Sequence, residues 1–205
     1  MALVIGLGTT AAMAAEPGPY VAGSVGLAFP STMDDSTFIP PYGDVDAELS
    51  FSDAPILSAA VGYAFGNGAR IEFEVGRTSL EADEVEVHTD AGSASAKIEN
   101  LDMPVTLLTL GAYHDFQTGS RFSLYLGGGA GLAITDKDQG AVEGVTIETD
   151  EREDLAAFAE AGVNIAATES LPIAPAYRFL WLDRGSDGWD DTTTHILKVA
   201  VRYAF

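Results

Sequence analysis

The stretch His195-Ile196-Leu197-Lys198-Val199-Ala200-Val201-Arg202-Tyr203-Ala204-Phe205 decides the fold. Leu197, Val199, Val201, Tyr203 and Phe205 occupy odd positions and are apolar, while the even positions carry Lys198 and Arg202 with small Ala200 and Ala204 between them. Period-two alternation marks a β-strand, because successive side chains point to opposite faces. The apolar face needs a second sheet or lipid behind it. With lipid, the charged face turns into the lumen of a closed barrel.

Seven earlier segments repeat the pattern, at residues 20–29, 56–65, 69–80, 101–116, 121–134, 155–167 and 172–182. The first sets Val21, Val25, Leu27 and Phe29 against Tyr20, Ala22, Ser24, Gly26 and Ala28. In the third, Ile71, Phe73 and Val75 alternate with Arg70, Glu72, Glu74 and Gly76. Gly66-Asn67-Gly68 between the second and third reads as a tight turn, since these residue types tolerate positive φ. Pro104 argues for a strand end or edge at its position. Long connections follow segments one, three, five and seven, and short ones follow two, four and six. That is the pattern of an all-β, eight-stranded antiparallel up-and-down transmembrane barrel, with short periplasmic turns and long outer loops. A water-soluble barrel would face its bulky apolar residues inward. Here the charges share a face with glycine and alanine, and the bulky residues share the other.

Composition narrows the partners. Thirty-one Asp and Glu against ten Lys and Arg give a net charge of -21, the wrong sign for phosphate neutralisation, so nucleic acid is not an expected partner. The absence of cysteine rules out disulfides and thiolate metal sites. Residues 1–15 carry no charge and end in Ala11-Ala12-Met13-Ala14-Ala15, which reads as the apolar core and cleavage site of a signal peptide, without a basic n-region. Residues 16–205 are then the barrel domain. No apolar stretch reaches the ~20 residues a spanning helix needs.

Several pieces in order resemble the eight-stranded outer-membrane β-barrel superfamily, which includes the outer membrane protein A transmembrane domain, opacity-type proteins and alphaproteobacterial outer-membrane immunogens. They are Val61-Gly62-Tyr63-Ala64-Phe65, Arg70-Ile71-Glu72-Phe73-Glu74, the glycine-rich run from Leu124 to Gly131, Phe158-Ala159-Glu160-Ala161-Gly162-Val163, Ala176-Tyr177-Arg178-Phe179, and the terminal Val201-Arg202-Tyr203-Ala204-Phe205. The resemblance implies a bacterial outer-membrane location and a small porin-like barrel with an envelope-structural and surface-presenting role. It also implies that Tyr203 and Phe205 form the signal read by the outer-membrane assembly machinery.

Inside such a barrel there is room only for side chains, so enclosed charges must pair. A salt-bridge network is expected among Glu72, Glu74, Glu160, Arg178, Lys198 and Arg202, acting as a structural plug or as the gate of a narrow pore. Residues 30–55, 81–99, 135–155 and 183–193 hold 24 of the 31 acidic residues, as acidic outer loops. They would meet outer-membrane lipid and lipopolysaccharide through divalent cations, or serve a surface adhesin. The run from Asp183 to Asp191 hints at a calcium loop but lacks the third-position ligand and distal Glu of an EF-hand, so no metal site or cofactor is expected. Tyr63, Phe65, Phe116, Tyr203 and Phe205 would girdle the periplasmic boundary, and Phe29, Phe179, Trp181 and Trp189 the outer one. His88 sits in a loop, His114 has Asp115 and Ser120 nearby but at the periplasmic end and without His-x-Ser spacing, and His195 has Thr193 and Thr194 beside it but no Ser, so no enzyme is expected. A monomer is the expected state.

Overall fold

Alternation becomes strand pairing in the computed structural model, which describes residues 17–39, 43–89, 92–99, 102–118, 121–136, 138–142, 145–149, 151–166, 171–183 and 191–205. The expected signal peptide at 1–15 lies outside them. The strands are β1 (Gly18–Pro30), β2 (Met33–Ile39), β3 (Gly43–Phe51), β4 (Ala54–Ala64), β5 (Ala69–Thr89), β6 (Gly92–Glu99) and β7 (Asp102–Gln117). They continue as β8 (Phe122–Thr135), β9 (Asp138–Val142), β10 (Val145–Thr149), β11 (Arg152–Ala166), β12 (Pro172–Asp183) and β13 (Thr192–Ala204).

Eight of these strands close on themselves in the order β1–β4–β5–β7–β8–β11–β12–β13 and back to β1, every pair antiparallel. The closing pair runs from Tyr20↔Ala204 to Pro30↔Thr194, so the terminal stretch leaves no open sheet edge. The fold is thus the eight-stranded antiparallel barrel expected from the alternation. Partner to partner, Tyr20, Gly62, Glu72, Gly111, Gly129, Phe158, Leu180 and Thr194 lead once round and back to β1 at Pro30, ten residues beyond the start. That stagger tilts the strands and sets a narrow bore.

The other five strands correct a sequence expectation. Residues 30–55, 81–99 and 135–155 read as loops, yet β5 runs on to Thr89 and is flanked there by the β2–β3 hairpin and by β6. The β9–β10 hairpin joins this outer sheet through Ile98↔Val142. The reason is visible in β5, where Val85 and Val87 alternate with Glu84, Glu86 and His88. The acidic load obscured a period-two pattern. Of the run from Asp183 to Asp191, residues 184–190 lie outside the described residues.

Prolines sit where the ladder can spare a donor. Pro104 pairs with Ser79 on one side, one position before β8 joins β7 on the other, and its carbonyl accepts from Asp136 N at 2.9 Å. Opposite Pro175, the β11–β12 register skips from Gly162↔Ala176 to Ile165↔Ile173. In the short turn after β4, Gly68 has a φ of 85°, and Ala69 N donates to Asn67 Oδ1 at 3.1 Å.

The faces are those of a barrel solvated by lipid. Val25, Leu57 and Leu110 point outward and are 60, 65 and 62% exposed, while charged Arg178 points inward and is 1% exposed. Among the described residues there is no helix long and apolar enough to span a bilayer, and the outward strand faces supply the apolar surface instead. Several lumen glycines have a steric purpose. A Cβ at Gly62 would strike the ring of Tyr20, one at Gly127 that of Tyr113, and one at Gly162 that of Tyr125. Gly127→Ala should therefore cost ~1–3 kcal/mol through overpacking. By contrast, Gly23→Ala, where the nearest atom to a new Cβ is 3.9 Å away, should be neutral. Urea unfolding from lipid vesicles followed by tryptophan fluorescence measures both.

Candidate functional site in the barrel lumen

Strand parity sends each charged side chain inward, and the ten-residue stagger sorts them by height. Taken with that tilt, the inward residues form tiers. The tier at the short-turn end holds Tyr20, Arg70, Asp115, Tyr125, Asn164 and Arg202. Glu72 and Tyr113 lie just above it. Next come Ser24, Ser58, Glu74, Glu160, Arg178 and Lys198.

Glu74, Glu160, Arg178 and Lys198 form one four-membered ion cluster. Arg178 Nη1 donates to Glu74 Oε1 at 2.5 Å, and its Nε to Glu160 Oε2 at 2.7 Å. Lys198 Nζ lies 2.8 Å from Glu74 Oε2 and 3.4 Å from Glu160 Oε2, so both cations are shared between both carboxylates. Tyr125 Oη donates to Glu160 Oε1 at 2.8 Å, and Arg178 Nη2 donates to Tyr113 Oη at 3.3 Å. The Arg178 guanidinium also stacks over the Phe158 ring, 4.2 Å from its centroid. Every member is buried, and two acids against two bases leave the cluster neutral.

Glu72 and Arg202 belong elsewhere. Two residues along a strand is a step of ~6.6 Å, enough to put Glu72 below the cluster that Glu74 enters. Glu72 takes its hydrogen bonds from Tyr20 Oη at 2.8 Å and Arg70 Nη1 at 3.3 Å. Arg70 Nε lies 3.3 Å from Asp115 Oδ2, a charge contact whose angle is not that of a hydrogen bond. Its guanidinium stacks on Tyr113, 3.9 Å from the centroid. Arg202 donates to Asn164 Oδ1 and approaches the Tyr125 ring, and among the described residues it makes no ion pair. Asn164 Nδ2 in turn donates to Asp115 Oδ1 at 2.8 Å. Counting Asp115 and Arg70, the described lumen from the short-turn end up to the ion cluster carries four acids and four bases. A small cavity lies beside them, between Ser24, Ser58, Glu72, Glu74, Lys198 and Arg202.

Sequence reading missed the hydrogen-bonding shell: Tyr20, Tyr113, Tyr125, Asp115 and Asn164. Strand parity puts these residues on the inward face, but no local signal says which lumen charge each one meets. It also missed the tier above the ion cluster. There the side chains are Ile56, Leu107, Phe158, Leu180 and Ile196, all buried, with glycine at the remaining positions.

Outside the lumen, Tyr63–Phe65, His114–Phe116 and Tyr203–Phe205 form ring pairs near the short-turn end, with centroids 5.1, 4.9 and 5.4 Å apart. Phe205 N donates to Pro19 O at 3.3 Å. His195 lies near the opposite end, where its Nδ1 shares a 2.6 Å hydrogen bond with Tyr177 Oη and its ring meets Phe179. On the outer sheet, donor atoms of Glu48, Glu86 and His88 fall within 4.8 Å of one another.

The chain belongs to the outer membrane protein beta-barrel domain family, whose family model matches residues 1–205. Among solved structures it is similar to Neisserial surface protein A, with a TM-score of 0.55 and 18% identity over 92% of this chain and 97% of that one. It is also similar to the outer membrane protease OmpT from Escherichia coli, at 0.51 and 8% over 96% and 100%. A third is the outer membrane protein OprG from Pseudomonas aeruginosa, at 0.50 and 13% over 92% and 97%. At such identities the likeness speaks for the fold. No curated protein matches the sequence. Family and fold together place the protein in the bacterial outer membrane.

The cluster makes a sharp energetic prediction. Arg178→Ala strands Glu74 and Glu160 with a single shared lysine and should cost about 3–5 kcal/mol. Arg202→Met, which removes no ion pair, should cost less than half as much. The difference in urea midpoint of the vesicle-inserted protein checks this.

Proposed function

We propose that the protein is an envelope-structural barrel that presents an acidic surface outside the cell, with its lumen plugged by paired charges. The carrying observation is the partition of charge. From the short-turn end up to the ion cluster the described lumen balances four acids with four bases, whereas the four outer segments hold 24 of the 31 acidic residues and four basic ones. A neutral, hydrogen-bonded interior suits a plug. An acidic crown repels phosphorylated lipopolysaccharide unless divalent cations lie between them. The clustered donors of Glu48, Glu86 and His88 in the outer sheet suit that cation-bridged contact. A barrel whose eight strands leave no unpaired edge can stand as a monomer. No catalytic role is assigned: His114 and His195 are engaged with girdle aromatics.

A narrow gated pore is the second reading. It draws on Arg178 and Lys198 each being shared between Glu74 and Glu160, which makes an exchange of partners geometrically available.

Two outcomes follow from the first reading. Protein in vesicles should bind lipopolysaccharide in millimolar magnesium and release it on chelation. Binding that is indifferent to chelator would contradict a cation bridge. The assembly role of Tyr203 and Phe205 predicts that deleting Phe205 lowers insertion in cells far more than it lowers detergent refolding, read by heat-modifiable gel migration. Equal losses in both assays would refute it.

A further inference from the structure

The ion cluster is not the last obstacle in the lumen. Directly above it lies the tier of Ile56, Leu107, Phe158, Leu180 and Ile196, contributed by β4, β7, β11, β12 and β13. Leu180 is 3% and Ile196 1% exposed. At β5 the glycine of this tier is flanked by two of its side chains. A Cβ on Gly76 would meet Leu107 at 3.6 Å and Ile56 at 3.7 Å. The Phe158 ring reaches across from β11 towards β7 and leans down onto the ion cluster, where a Cβ on Gly111 would meet it at 2.9 Å and the Arg178 guanidinium stacks on it. The five side chains of the tier are packed into the bore and bring no polar atom to it.

Below the tier the lumen is polar down to the short-turn end. The cavity lies beside β1, β4 and β13, where small Ala22, Ser24, Ser58, Ala60 and Ala200 leave room next to Lys198 and Arg202. Arg202 lines it, is more than nine-tenths buried, and has an Nε with no protein hydrogen-bond partner. Arg70, in the same tier as Arg202, has two such nitrogens. Buried guanidinium groups of this kind call for small polar ligands. The route to them runs past Asp115, whose side chain is 18% exposed at the short-turn end.

We propose that the apolar tier, and not the salt-bridge cluster, is the barrier across the barrel, and that the charged chamber beneath it is a site for water and small inorganic ions admitted from the periplasmic end alone. An apolar constriction excludes ions because it offers no oxygen or nitrogen to replace their hydration shell and favours dewetting. Ion pairs of the cluster, in contrast, can exchange partners with incoming water. This inference rests on the plugged-lumen reading and differs from the gate in naming which residues hold the barrel shut.

Planar-bilayer recording separates the possibilities. The wild type should be silent. Leu107→Ser with Leu180→Ser, verified as folded by heat-modifiable migration, should raise ion conductance on the order of tenfold or more above that background. Glu74→Gln with Lys198→Met, which keeps the lumen neutral, should leave it near background. A conducting wild type would overturn both the plug and the proposal. A conducting charge variant beside a silent serine variant would overturn the proposal and leave the plug standing.

A second measurement needs no destabilising change. The sequence has no cysteine, so Ser24→Cys places a lone thiol just below the tier. Silver ion, similar in size to potassium, should modify it at least about tenfold faster from the periplasmic side than from the outer side of oriented vesicles. Equal rates from the two sides would refute one-sided access.

Discussion

A strand in a bilayer must have both of its hydrogen-bonding edges occupied, and nearly everything in this molecule descends from that demand. With eight strands the solution is a closed ring, and β13 meeting β1 completes it. The ring's narrowness then dictates the interior. Charged side chains have nowhere to go except towards one another, and aromatic rings fit where a neighbouring position is glycine. Tyr113 beside Gly127 and Tyr125 beside Gly162 are cases in point. The glycine-rich run in β8 is thus the complement of Tyr113 from β7 and Phe158 from β11.

Strand parity is a local property, and it was legible. From Lys198 and Arg202 alternating with Leu197, Val199 and Val201, one reads which residues face inward without any knowledge of neighbours. Height within the bore is a global property, set by eight registers added together, and no single stretch contains it. Hence Glu72, Glu74 and Glu160 could be recognised as lumen residues, while the partition that gives Glu72 to Arg70 and Glu74 to Arg178 could not. The same limit hid the apolar tier, because Ile56, Leu107, Leu180 and Ile196 are unremarkable inward positions until the stagger brings them level. The outer strands were missed for a different reason. In β5 the alternation persists through Val85 and Val87, but dense acidic side chains resemble the composition of solvated loops.

Two electrostatic regimes share one chain. In the lumen, low polarity of the surroundings makes each unpaired charge expensive, and opposite charges occur in equal number. At the outer rim, water and salt screen like charges, and a strong excess of one sign is tolerated. The net charge of -21 is therefore a property of the rim and says little about the interior.

The pairing of Arg178 with Glu74 joins residues 104 positions apart, and that of Lys198 with Glu74 joins residues 124 apart. A chain holding only its first several strands would carry Glu74 into the bilayer with no cation from β12 or β13 to neutralise it. Incomplete barrels are penalised in proportion to what they lack, so the last hairpin works as a proofreading step. Assembly that begins at the N-terminal strands becomes durable once the C-terminal ones have arrived.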